Sequence, residues 1–204
     1  NITGATPREY AEMAEALGGA GLDLIEINVS CPNVKEGGAL FGASAGGITE
    51  VVTACRRATD AKLMVKLSPN VTDIAEMAKA AEAAGADALS LINTLLGMRI
   101  DIATRRPILG NNLGGLSGPA VRPVAVRMVY QVAQAVRLPI LGMGGIATAD
   151  DALEFLLAGA TAVAVGTATI VDPLAPIRVL EGLERHLHST GESVGDIIGA
   201  VQMN

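Results

Sequence analysis

The chain has 204 residues, half of them hydrophobic, and a formal net charge of −6. That is enough chain for one domain with a substantial core, and the scattered basic residues exclude the electrostatic footprint of a nucleic-acid binder. Two cysteines, Cys31 and Cys55, with no CxxC and no paired histidine spacing, exclude a disulfide framework and a zinc site.

No apolar run reaches the ~18 residues of a membrane span, so no membrane association is expected, and a reducing, cytoplasmic setting is the expectation. Aromatics are scarce, with two Phe, two Tyr and no Trp against 24 Gly. Small residues allow close helix–sheet packing, which suits a layered α/β architecture.

In chain order, "NITG" (1–4) reads as the tail of a strand that begins before residue 1. An Ala-rich amphipathic helix ending in glycine then leads into an apolar strand in "AEMAEALGGAGLDLIEI" (11–27), and the same pattern returns in "AEMAKAAEAAGADALSL" (75–91) and "ALEFLLAGATAVAV" (152–165). Repeated helix–Gly–strand units imply a parallel sheet with crossover helices. The strands fall at 24–28 (LIEIN), 63–67 (LMVKL), 88–93 (ALSLIN), 139–143 (PILGM) and 162–166 (AVAVG).

Polar and glycine-rich residues follow each strand's C-terminal end: "SCPN", "SPN", "NT", "GGI" and "GTA". Such placement fits either a TIM barrel or an open doubly wound sheet. "LGMGGIATADD" and "VAVGTA" resemble the paired phosphate loops after barrel strands 7 and 8, and so favour the TIM (β/α)8 barrel. Counting back, "NITG" ends strand 3 and strands 1 and 2 are missing. Residues 1–204 are therefore expected to form the C-terminal three-quarters of a single barrel domain.

On the strand at 24–28, Glu26 and Asn28 share one face and Ile25 and Ile27 the other. Lys66 sits among apolar residues near its strand end and calls for an anionic neighbour. That neighbour is either a carboxylate such as Glu26 or a ligand. The glycines of "GMGGIATADD" let backbone amides approach an anion, and Thr148 or Asp150 can cap the next helix. "NNLGGLSGP" (111–119) adds a third glycine-rich loop, with Pro119 suited to a first helical turn.

Cys31 follows a strand end between polar residues, a setting for proton abstraction or nucleophilic attack; the alternative is a small buried hydrophobe. No histidine is arranged to activate it in protease fashion. Cys55, on the apparent helix 49–58, reads as packing. His186 and His188 lie on a charged terminal helix, and Arg99, Arg105 and Arg106 in a long, exposed loop.

Four blocks, "INVSCPNVKEGGALFG", "VKLSPNVTDI", "INTLLGMRIDIATRRPILGNNLGGLSGPAVRP" and "ILGMGGIATADDALEFLLAGATAVAVGTA", closely resemble the catalytic subunit of the class 1B dihydroorotate dehydrogenase family. The resemblance covers essentially the whole chain in the same order. It implies an FMN-containing TIM barrel that oxidises dihydroorotate to orotate in pyrimidine biosynthesis. By position it makes Cys31 the catalytic base, and Asn28, Asn33, Asn93 and Thr94 the substrate contacts. Asn1, Asn28, Lys66, Ile92, Gly118, Gly144, Gly145, Gly166 and Thr167 become the FMN contacts, the last four around its phosphate.

Class 2 enzymes carry Ser in place of Cys31, and the "GMRIDIATRRPIL" insert resembles class 1B, not the fumarate-using class 1A, which is the alternative reading. The barrel of dihydropyrimidine dehydrogenase shares several blocks but carries its acid cysteine where this chain has Phe41. A non-catalytic flavin- or phosphate-binding barrel is the remaining alternative. The 1B resemblance further implies a homodimer core in a heterotetramer. Its electron-transfer subunit would carry FAD and an iron–sulfur cluster and pass electrons to NAD, because two cysteines in this chain cannot hold such a cluster.

Overall fold

A computed structural model describes residues 1–30 and 41–204. In chain order its elements are α1 (Pro7–Gly18), β1 (Ile25–Asn28), α2 (Ala45–Ala58), β2 (Leu63–Lys66), α3 (Ile74–Ala83) and β3 (Ala88–Leu91). Four short strands follow: β4 (Leu95–Gly97), β5 (Ile100–Asp101), β6 (Arg106–Pro107) and β7 (Gly114–Leu116). A 3₁₀ turn (Pro119–Val121) leads into α4 (Arg122–Ala133), β8 (Ile140–Met143), α5 (Ala149–Leu157) and β9 (Ala162–Ala164). The chain continues through α6 (Thr167–Val171), α7 (Ala175–Thr190) and α8 (Val194–Ile197).

The main sheet is parallel with order β1-β2-β3-β8-β9. Ile2 adds a parallel bridge to Ile27 outside β1, with Ile2 N–H donating to Glu26 O and Asn28 N–H to Ile2 O at 2.8 and 2.9 Å. Spatial order therefore follows chain order without a reversal. A doubly wound sheet needs a switch point where that order turns back; consecutive strands of a barrel do not. The fold is of the TIM-barrel type, with "NITG" in the expected place beside β1.

Each strand turns alternate residues toward the helices. Ile25, Ile27, Leu63, Val65 and Leu89 are fully buried there, packed into one core with Val51, Val52 and Cys55 of α2 and Phe155 of α5. Burying an aliphatic side chain of this size contributes about 1.5–3 kcal/mol. The opposite face carries Glu26, Asn28 and Lys66. Strand register aligns Asn28 with Lys66 and Lys66 with Ser90, which builds one polar row across three strands.

Several helix starts are fixed by side-chain caps. Thr6, Ser44 and Asp73 accept backbone N–H groups of α1, α2 and α3, and Thr148 forms a reciprocal capping box with Asp151. The helix expected at 49–58 begins earlier, at Ala45, because Ser44 caps it. Three strands end earlier than expected, at Lys66, Leu91 and Ala164; there the backbone leaves the ladder for the loops that form the cleft.

Below the sheet, Asp87 accepts from Leu63 N–H at 2.9 Å, Arg56 Nη1 at 2.9 Å and Lys62 Nζ at 2.8 Å. Burial alone would raise this carboxyl, but the Lys62, Leu63 and Arg56 hydrogen bonds together outweigh it and hold the group below the usual carboxylate range. Cys55 is fully buried, as expected of a packing residue; burial pushes its thiol up to about 12, against a smaller opposing pull from Arg56.

The segment after β3 departs from the expected loop. β4 pairs antiparallel with β7 and β5 with β6, forming two small ribbons. Leu96, Met98, Ile100, Ile102, Ile108 and Leu109 are exposed on them. Arg99, Arg105 and Arg106 are exposed as expected, and His188 is exposed while His186 is half-buried.

Candidate functional site

A cleft of about 190 Å3 opens at the C-terminal ends of the strands, where a barrel places its chemistry. Lys66, Ile92, Asn93 and Thr94 line it from β2 and the end of β3, and Gly144, Gly145, Gly166 and Thr167 from the loops after β8 and β9. Eight of the sequence-assigned residues thus converge on one cavity. Gly118 lines an adjoining cleft that shares Gly145 and Thr167 with the first.

Asn28 joins the cleft through hydrogen bonds. Its Oδ1 accepts from Asn93 Nδ2 at 3.3 Å and from the Ser30 hydroxyl at 3.1 Å, while Asn93 Nδ2 also donates to Ser30 Oγ at 2.6 Å. From the helix side, the hydroxyl of fully buried Tyr10 donates to Asn28 O at 2.8 Å. Asn93 Oδ1 in turn accepts the Thr94 N–H at 2.8 Å. Two amides and a hydroxyl are therefore locked in one orientation, leaving a polar edge suited to a planar, hydrogen-bonding ligand.

Asn1 is exposed and donates to the Glu26 carboxylate, which also accepts from the Ser90 hydroxyl at 2.6 Å. That carboxylate is thereby occupied. Among the described residues Lys66 forms no ion pair with it or with any other carboxylate. Of the two partners open to Lys66, the Glu26 pair does not form, and Lys66 lines the cleft as its cationic residue.

The glycine loops fit an anion. Gly145 has φ +83°, and a Cβ there would lie 2.7 Å from Gly118 O; at Gly144, with φ +130°, it would lie 3.0 Å from the Ala125 Cβ. Only glycine permits both the conformation and the approach. Among the described residues, the amides of Gly144, Gly145, Gly166 and Thr167 donate to no acceptor. Thr167 Oγ1 donates to Ser117 Oγ at 2.8 Å, which joins the β9 loop to the loop after β7. Amides without acceptors at two adjoining glycine loops form a donor set of the kind that takes a phosphate.

Cys31 and Asn33 lie outside the described residues. Thr148, not Asp150, caps α5, since its side chain reaches the Asp151 N–H. Sequence reasoning missed Ser30, Asn70, Arg122 and Asp151. Asn70 donates to Thr94 O at 3.0 Å and accepts the Leu96 N–H at 2.9 Å, so it fastens the loop after β2 to the segment carrying Thr94. The "SPN" run was the available signal, an amide placed to mimic a backbone turn. Arg122 offered no signal, because its role comes from a contact between separate helices.

A parallel α/β sheet in barrel order, with a cation and paired glycine loops at its strand C-termini, defines the class. The family model described as Dihydroorotate dehydrogenase matches residues 1–187. A curated relative from Alkaliphilus oremlandii, named dihydroorotate dehydrogenase B (NAD(+)), catalytic subunit, is 58% identical over 98% of this chain and 66% of its own length. One of the same name from Trichlorobacter lovleyi is 57% identical over 99% of this chain and 67% of its own. The crystal structure of DHODH from Eimeria tenella, in complex with ferulenol, aligns with a TM-score of 0.81 at 26% identity, covering 97% of this chain and 58% of that one.

The chain belongs to the dihydroorotate dehydrogenase family. It spans about two thirds of the length of these curated relatives. Among the described residues no helix is long and apolar enough to cross a membrane.

Proposed function

We propose that the protein oxidises dihydroorotate to orotate with FMN as its resident cofactor, in a cytoplasmic pyrimidine pathway. The observation that carries this reading is the convergence of Lys66, Asn93, Thr94 and the Gly144–Gly145 and Gly166–Thr167 loops on one cleft. FMN, when bound, accepts the hydride that leaves C6 of the substrate. The glycine loops hold its phosphate, while Lys66 places positive charge where reduced flavin is negative. Ile92 and Gly118 supply close contacts, and Asn1 and Asn28 are the remaining flavin contacts.

Asn28, Asn33, Asn93 and Thr94 orient the pyrimidine by its polar edge. Cys31, the residue after Ser30, acts as base and takes the proton from C5, so that proton and hydride loss together form the C5–C6 double bond. An ordinary thiol titrates near about 8.5, so activity should rise as pH approaches that value.

The relatives' names describe an NAD(+)-linked catalytic subunit. By that likeness, electrons pass to a partner subunit carrying FAD and an iron–sulfur cluster, in a heterotetramer built on a homodimer of this protein. Anaerobic addition of dihydroorotate to the FMN-loaded protein tests the reading: the flavin absorbance bleaches. Bleaching by dihydroorotate, followed by recovery with fumarate alone, would assign the fumarate-linked class instead. FMN binding without bleaching would reduce the protein to a flavin-binding barrel.

A further inference from the structure

We propose that Arg122 and Asp151 form a positioning pair that sets the Gly144–Thr148 loop in its phosphate-binding shape. The inference rests on the FMN reading above and extends it to two residues outside the cleft lining.

Asp151 is buried, 6% exposed, at the start of α5. Its Oδ2 accepts both the Ala147 and the Thr148 N–H at 2.9 Å, and its Oδ1 takes Arg122 Nη1. One carboxylate thus consumes the two amides at the downstream end of the loop, while those of Gly144 and Gly145 stay without acceptors among the described residues. Free donors at one end and bonded donors at the other give the loop its polarity toward an anion.

Arg122 fixes the other side. A Cβ at Gly145 would lie 2.9 Å from Arg122 Cβ and 3.1 Å from its backbone N, so the start of α4 is packed directly on the loop. Among the described residues, Arg122 Nε is the buried side-chain donor or acceptor left without a hydrogen bond. Leaving such a group unsatisfied costs free energy. Breaks in local satisfaction concentrate where geometry serves a ligand. Arg122 packs on the loop through its backbone and Cβ and reaches α5 through its guanidinium, with Glu154 Oε1 3.7 Å from the same Nε.

The test compares FMN with riboflavin, which lacks the phosphate. Dissociation constants for both flavins are measured by fluorescence quenching in the intact protein and in Arg122→Gln, Asp151→Asn and Arg122→Lys variants, with thermal melting alongside. The unaltered protein binds FMN more tightly than riboflavin. Arg122→Gln and Asp151→Asn weaken FMN by roughly tenfold or more, the scale of a lost charged hydrogen bond, while riboflavin binding stays within about twofold; Arg122→Lys restores part of the difference.

Equal weakening of both flavins, or an unchanged FMN preference in a folded variant, overturns the proposal and leaves the pair purely structural. If either variant melts at the assay temperature, the other decides. An unaltered protein that binds the two flavins alike would instead bring down the FMN reading, and this inference with it.

Discussion

Asn93 donates through Nδ2 to the Ser30 hydroxyl at 2.6 Å, tying the end of β3 to the residue before Cys31. The bond links the segments after β1 and β3, the two that we propose to face substrate. Asn93→Ala should weaken orotate binding by roughly 5–150-fold, the range of about 1–3 kcal/mol for an orphaned buried polar partner. Ser30→Ala, which removes the hydroxyl bonded to both Asn93 and Asn28 but neither amide, should weaken it less but measurably. Titration of orotate against the flavin spectrum reads both, and an unaffected Ser30→Ala would show that the anchor is dispensable.

The two thiols should behave oppositely. Cys55 is buried and its thiol raised to about 12, so it stays protonated and shielded at any ordinary pH. Alkylation of the native protein at mildly alkaline pH, followed by peptide mass mapping, should mark Cys31 and spare Cys55 until the chain is denatured. Cys31→Ala should still bind orotate but lose ~10²–10⁴-fold in turnover near neutrality, the range for removing a positioned base. Serine there should also be slow, since a hydroxyl is harder to deprotonate.

Gly145→Ala should be costly twice over. The backbone sits at φ +83°, and the new methyl would meet Gly118 O at 2.7 Å. Strain of this kind costs about 1–3 kcal/mol, and movement to relieve it disturbs the loop expected to take phosphate. Gly19→Ala is the control, because its φ is −78° and nothing lies within 4 Å of the added methyl. That variant should change stability by no more than about 1 kcal/mol, in the stabilising direction. Chemical denaturation and FMN retention on gel filtration distinguish the two.

Asp87 predicts an acid-sensitive component of stability. Its folded-state pKa lies below the unfolded value, so its contribution is fully present above the unfolded carboxylate pKa of about 3.9 and is lost as pH falls through the lower folded value. Urea unfolding at neutral pH and at pH values below 4 should show the loss, and Asp87→Asn should flatten it. An Asn variant with the same acid slope as the unaltered protein would place the sensitivity elsewhere.

The strand order was legible because each βα unit repeats the same alternation, visible in Ile25–Ile27 and Leu63–Val65, and because chemistry follows every strand. The glycine loops and Lys66 could be read as well, since few contexts place a lysine at the end of an apolar strand. The ribbons at 95–116 could not. Strands of two or three residues carry no alternation to detect, and Gly114 and Gly115 read as turn. Choosing between Glu26 and a ligand as the partner of Lys66 needed coordinates, because Asn1 and Ser90 compete for the same carboxylate across three segments. The Arg122–Asp151 contact joins helices whose spacing in sequence says nothing of their approach.

The pairing of Leu95 with Leu116 closes the neck of that excursion beside Thr94 and Ser117. A neck of three residue pairs sets what hangs beyond it apart from the mouth: no described residue between Met98 and Asn112 lines the cleft. The exposed apolar tip of Ile100, Ile102 and Ile108 is therefore placed to change its associations without touching the cleft's own lining.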